Sequence, residues 1–92
     1  MTATADSPDL ARSDAADLVA ALSAREADVL ALLANGYSNR GIGAALALSE
    51  RTVEAYLTTI FQKFRIEHAP GTNRRVLAAL VYLDYLDGSL GV

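Results

Sequence analysis

Apolar residues recur along this chain mostly with the period of an α-helix, and few runs alternate as a strand would. The clearest case is Val53, Leu57, Ile60, Phe61 and Phe64, a single stripe at 3.6 residues per turn. Ser49 stands just ahead of it as a cap, so the spacing predicts a helix over residues 50–65. Upstream, Ser38 can cap a shorter helix running to Leu48, with Ile42 and Leu46 one turn apart on one face. Further upstream, Ser23 and Glu26 have the spacing of a capping box, in which each side chain satisfies a backbone N–H of the other. That helix buries Val29, Leu30 and Leu33, permits close approach at Ala27, Ala31 and Ala34, and ends at Asn35-Gly36, where glycine accepts a left-handed conformation.

The last helix is expected from Asn73 to Tyr85, capped by Asn73 or Thr72. Val76, Leu77, Leu80, Val81, Tyr82, Leu83, Tyr85 and Leu86 surround much of its circumference, and a helix apolar on more than one side wants more than one neighbour. The chain up to Ser13, rich in Ala, Ser, Thr, Asp and Pro, is expected to be disordered. Residues 14–22 form either a linker or a short docked helix with Leu18, Val19 and Leu22 on one side, and residues 87–92 a tail. The fold class is therefore all-α, with four helices in residues 22–86 after an acidic segment, 1–21.

The second and third of these helices meet across about three residues, a connection so short that they share one core, as in a helix-turn-helix. In such a unit the second helix lies in the DNA major groove while the first crosses the backbone. The face opposite the apolar stripe carries Arg51, Glu54, Ala55, Thr58 and Gln62, an inventory suited to base edges and phosphates.

Three ordered blocks carry a family resemblance: Leu22-Ser23-Ala24-Arg25-Glu26 leading to Val29-Leu30, the corner Gly36-Tyr37-Ser38-Asn39, and Leu48-Ser49-Glu50-Arg51-Thr52-Val53. With this spacing the chain from Leu22 to about Leu83 resembles the LuxR-type (GerE-like, NarL-like) DNA-binding domain, and Asn73-Arg74-Arg75-Val76-Leu77-Ala78-Ala79-Leu80 looks like the closing helix of actinobacterial members. The resemblance implies a transcriptional regulator that pairs through its last helix. Glu54, Tyr56 and Thr58 depart from the basic or histidine residues many members carry there, and Gly41 replaces a usual glutamate. The loss of that second capping box, with Gly41 and Gly43 each costing roughly 1 kcal/mol relative to alanine, predicts a soft second helix.

Charge complicates this picture. The chain of 92 residues has a net charge of −3, unlike the usual nucleic-acid binder. The acid is concentrated at the ends, in Asp6, Asp9, Asp14 and Asp17 against Arg12, and in Asp84 and Asp87. The middle holds seven basic residues against five acidic ones, and dimerisation on two half-sites would remedy its modest affinity. The absence of cysteine excludes disulfides and thiolate metal sites. His68 has no ligand cluster around it, and no catalytic constellation or cofactor fingerprint can be assembled, so neither enzymatic activity nor a cofactor is expected. Without a signal peptide or an apolar run of membrane length, a cytoplasmic protein with no membrane association is the expectation.

The candidate DNA-binding residues are Ser38, Asn39, Arg40, Ser49, Arg51, Thr52, Glu54, Ala55, Tyr56, Thr58, Thr59, Gln62 and Lys63. Among them Ser49 and Thr52 suit phosphate, Arg51 a phosphate or guanine, and Ala55 and Thr58 a thymine methyl. Glu54 suits a cytosine amino group or braces Arg51, while Lys63 also complements the helix dipole. Val76, Leu80, Tyr82 and Leu83 are the candidate homodimer interface. The expected function is that of a sequence-specific transcriptional regulator, or the output domain of a response regulator, reading the major groove of double-stranded DNA with helix 50–65 as a homodimer on an inverted repeat. The alternative is a protein-interaction module that keeps the fold, has lost DNA binding, and docks on RNA polymerase or another regulator.

Overall fold

A computed structural model describes the backbone of residues 8–91 and the side-chain surroundings of residues 14–88. It contains α1 (Pro8–Ala20), α2 (Ala24–Ala34), α3 (Asn39–Leu46), α4 (Glu50–Lys63) and α5 (Arg74–Gly91), with no strand among the described residues. The all-α class and the helices α2 to α5 agree with the periodicity. Val29, Leu30, Ile42, Val53 and Ile60 are sealed at the centre, with Leu33, Leu57, Phe61, Phe64 and Ala78 around them.

Local chemistry explains the boundaries. At the start of α2, Ser23 N donates to Glu26 Oε1 at 2.9 Å and Glu26 N donates to Ser23 Oγ at 3.1 Å, completing the capping box. Its end is a Schellman turn: Tyr37 N donates to Leu32 O, Gly36 N donates to Leu33 O, and Gly36 takes φ +92°. Ser38 Oγ accepts from Gly41 N at 3.0 Å, so α3 keeps half of a capping box without the glutamate. In α5 the Asn73 carbonyl oxygen of the side chain accepts from Arg75 N and Val76 N.

Ala47 and Arg65 repeat the left-handed exit at the ends of α3 and α4, with φ 60° and 59°, although neither is glycine. An L side chain resists this region by roughly 1–2 kcal/mol, partly offset by the greater unfolded-state freedom of glycine. Ala47→Gly is therefore expected to raise stability by about 0.5–1 kcal/mol, measured by urea denaturation.

Several expectations need correction. Five helices are present among the described residues, because the amino-terminal segment is helical from Pro8; the expected disorder of residues 1–7 lies outside the described residues. The proposed helix over 14–22 is part of this longer α1 and stops at Ala20. It is docked: Ala15 and Val19 are buried, Leu18 and Leu22 join the core margin, and α1 packs chiefly on α5. Residues 87–91, expected as tail, continue α5 to Gly91.

The two glycines of α3 are not equivalent softeners. A Cβ on Gly43 would lie 2.5 Å from the Leu48 carbonyl oxygen, whereas one on Gly41 would meet only side-chain atoms, at 3.3 Å and beyond. Gly43 thus permits the close turn between α3 and α4, in which Leu48 N also donates to Gly43 O at 2.8 Å.

Candidate nucleic-acid interface

The inward stripe of α4 is buried as its spacing requires, which turns Arg51, Thr52, Glu54, Ala55, Thr58 and Gln62 outward, all exposed. Ser49 leads into this face. Its Oγ accepts from Thr52 N at 3.1 Å and donates to Thr52 Oγ1 at 2.9 Å, leaving the Thr52 hydroxyl proton available to an outside acceptor. Thr58 and Thr59 donate their hydroxyls back to the carbonyls of Glu54 and Ala55. Their methyl groups and remaining lone pairs are what they offer to a partner, and Thr59 is only half exposed. Tyr56 is half-buried with its ring against the core margin.

Ser38, Asn39 and Arg40 form the start of α3, Ser38 and Arg40 exposed and Asn39 half-buried. Asn39 shares with Glu54 and Thr58 an open surface depression of about 510 Å³, which His68, Thr72 and Arg75 also line. The structure therefore brings Asn39 of α3 together with Glu54 and Thr58 of the outer face of α4. Neither Arg40 nor Arg51 has an ion-pair partner among the described residues, so both retain their charge for an external anion. The expected brace between Glu54 and Arg51 is not formed.

Lys63 is placed elsewhere. Its Nζ donates to Glu26 Oε1 at 2.7 Å and to the carbonyl of Ala21 at 3.2 Å, tying the end of α4 to the α1–α2 joint. The ammonium beside Glu26 is the main influence holding that carboxyl below its usual range; burial opposes it, and hydrogen bonding with Ser23 assists. Lys63 is thus a structural cation rather than part of the outward face.

Arg75, placed by the sequence only within the closing-helix run, ties α5 to α3 and to the turn between α2 and α3. It donates through Nη1 to Asn39 Oδ1 and through Nη2 to the Tyr37 carbonyl at 2.8 Å. Its neighbour Arg74 lies 4.8 Å from the centre of the Phe61 ring. The only signal in the sequence was a pair of arginines at a helix start, which gives no indication of what they touch.

On α5, Val76, Leu80 and Leu83 point outward and are about half exposed, at 52%, 51% and 48%. Tyr82, grouped with them from sequence, turns inward to the core margin, its ring 5.8 Å from that of Tyr85. Because α5 is apolar all round, its pattern could not select the side that the core would take.

A surface helix of mixed polar groups, presented by a sharp two-helix turn, defines the helix-turn-helix class. The chain belongs to the luxR family of bacterial regulatory proteins, whose profile matches residues 20–79. Similar proteins include the transcriptional regulatory protein DegU of Brevibacillus brevis, 49% identical over 45 residues, covering 49% of this chain and 19% of the relative. FixJ, a transcriptional regulatory protein of Azorhizobium caulinodans, is 39% identical over 69 residues, 75% of this chain and 33% of its own length. BvgA of Bordetella pertussis, a virulence-factor transcription regulator, is 47% identical over 55 residues, 60% of this chain and 26% of its own. The chain thus spans a third or less of these relatives. No solved structure matches significantly.

Among the described residues, no helix is long and apolar enough to cross a membrane, and no group of three or more His, Asp or Glu side chains could hold a metal ion.

Proposed function

We propose that this protein is a cytoplasmic, sequence-specific DNA-binding transcriptional regulator whose helix α4 enters the major groove. The outward face of α4 carries this reading: its polar side chains stand clear of the core, Arg51 has no ion-pair partner among the described residues, and the Thr52 hydroxyl, which accepts from Ser49, keeps its proton for an outside acceptor. Residues 22–86 are the binding unit, and residues 1–21 an acidic extension. Two copies pair through Val76, Leu80 and Leu83 of α5 and place their reading helices on the half-sites of an inverted repeat.

The test is selection from a random duplex library at near-physiological salt. Enrichment of an inverted repeat is the expected result, and Arg51→Ala should weaken binding to it by about tenfold, corresponding to the loss of one good contact. Failure of the folded protein to enrich any sequence would overturn the reading.

A second reading is favoured by the net charge of −3 and by the exposed apolar stripe of α5: a module that docks on RNA polymerase or another regulator without DNA. It predicts no selected sequence and no effect of Arg51→Ala.

A further inference from the structure

Arg75 lies in the first turn of α5, but its side chain reaches the corner between α2 and α3. A guanidinium carries only donors, so the atom of Asn39 that faces Arg75 Nη1 must be the oxygen. The Asn39 NH₂ is thereby turned the other way, and it has no hydrogen-bond partner among the described residues. The second arm of the fork, on the Tyr37 carbonyl, anchors the guanidinium to the backbone just before the α3 cap. Both ends of the fork are occupied by neutral acceptors, and Arg75 has no carboxylate partner among the described residues.

The consequence concerns the sign of what α3 shows to DNA. A freely turning Asn39 amide offers an oxygen as readily as an NH₂, and an oxygen facing a phosphate is repelled. With its oxygen held by Arg75, Asn39 offers donors alone, beside the exposed cation of Arg40 and on the same depression as Thr58 of the reading helix. We propose that Arg75 is a positioning residue for DNA-backbone binding, fixing Asn39 so that its amide NH₂ donates to a phosphate oxygen. This rests on the DNA-binding reading above. It adds that α5, which carries the proposed pairing surface, also sets the donor at the leading edge of α3.

The experiment uses the full chain and a mixed-sequence duplex of about two helical turns at low salt, since phosphate contacts do not require the operator. Asn39→Ala should weaken binding about 3- to 10-fold, within the range for the net loss of one ordinary hydrogen bond. Arg75→Lys keeps the charge but loses the planar fork, and it should cost a similar factor with no change in salt dependence. The double variant should bind no more weakly than either single one.

If Arg75 instead met phosphate directly, Arg75→Lys would bind nearly as well as the unaltered chain and the two losses would multiply; either result overturns the proposal. The Asn39 side-chain NH₂ resonance supplies a readout independent of DNA. It should move in Arg75→Lys and in Arg75→Gln, each checked for a dispersed amide spectrum. An unmoved resonance while the unaltered chain still binds duplex defeats the positioning role alone. Absence of duplex binding by the unaltered chain defeats the DNA reading and this proposal with it.

Discussion

Gly43→Ala is expected to lower stability by about 3 kcal/mol, moving the thermal midpoint down by roughly 15 °C in a domain of this size. The new Cβ would sit 2.5 Å from the Leu48 carbonyl oxygen, a backbone atom that no rotamer change can withdraw. Relief requires the α3–α4 turn to open, which strains the Leu48 N to Gly43 O bond and lifts Ile42 from the core beside it. Alanine's better helix propensity returns only roughly 1 kcal/mol of this loss. Gly41→Ala is the internal control. It makes the same chemical change two positions earlier, meets only Tyr37 and Ser38 side-chain atoms, and should be neutral or slightly stabilising. Thermal unfolding followed by circular dichroism on both variants tests the pair; equal midpoints would show that the turn has slack the geometry does not display.

Lys63→Met should destabilise the protein by about 2 kcal/mol at neutral pH and remove most of the acid sensitivity that Glu26 contributes. Losing one member of a buried pair costs about 3–5 kcal/mol, and the 36% exposure of the Lys63 side chain reduces that figure through solvent screening. Glu26, with its side chain 11% exposed, would keep the Ser23 bonds but lose its cation, and the Ala21 carbonyl would lose its donor.

The pH dependence follows from the direction of the Glu26 shift. Folding holds this carboxyl below its usual range, so the unfolded chain binds the proton first as pH falls. The stabilisation is complete above the ordinary carboxylate range and disappears as pH drops through the depressed folded value. In Lys63→Met the main depressing influence is gone while burial remains, so the folded and unfolded chains bind the Glu26 proton at closer pH and this acid-linked loss becomes smaller. Urea unfolding of both proteins across the acid range measures this. The difference between them should shrink as pH falls and Glu26 protonates in each; a pH-independent difference would show that Lys63 acts through packing of its methylenes alone.

Features governed by neighbours in sequence were legible from the chain. The α4 stripe, the Ser23–Glu26 box and the Asn35-Gly36 exit all act within about one turn, and each appears where its spacing put it. Long-range partners were not legible. Lys63 lies 37 positions from Glu26 and Arg75 lies 36 from Asn39, and no local pattern connects such residues. The role of Gly43 depended on the path of the chain at Leu48, and propensity alone assigned it the opposite sign. Helix α1 was half hidden because its buried contacts include a small residue, Ala15, whose contribution to a periodic signal is weak. Of the candidate interface, the α4 face emerged from periodicity, whereas the inward turn of Tyr82 was not legible because its helix offers apolar groups in every direction.

Helix α4 divides its labour by angle: Val53, Leu57, Ile60, Phe61 and Phe64 are committed to the interior, while Arg51, Glu54, Ala55, Thr58 and Gln62 are all exposed. Exposed helix positions of this kind tolerate exchange within about 0.5 kcal/mol. On the DNA reading proposed for α4, sequence preference and architectural integrity are therefore separable traits in this molecule. On that proposal, a lineage descended from it explores new operators by single substitutions on one side of one helix without first acquiring a compensating stabilisation; independently of it, a library randomised at those five positions should consist mostly of folded members.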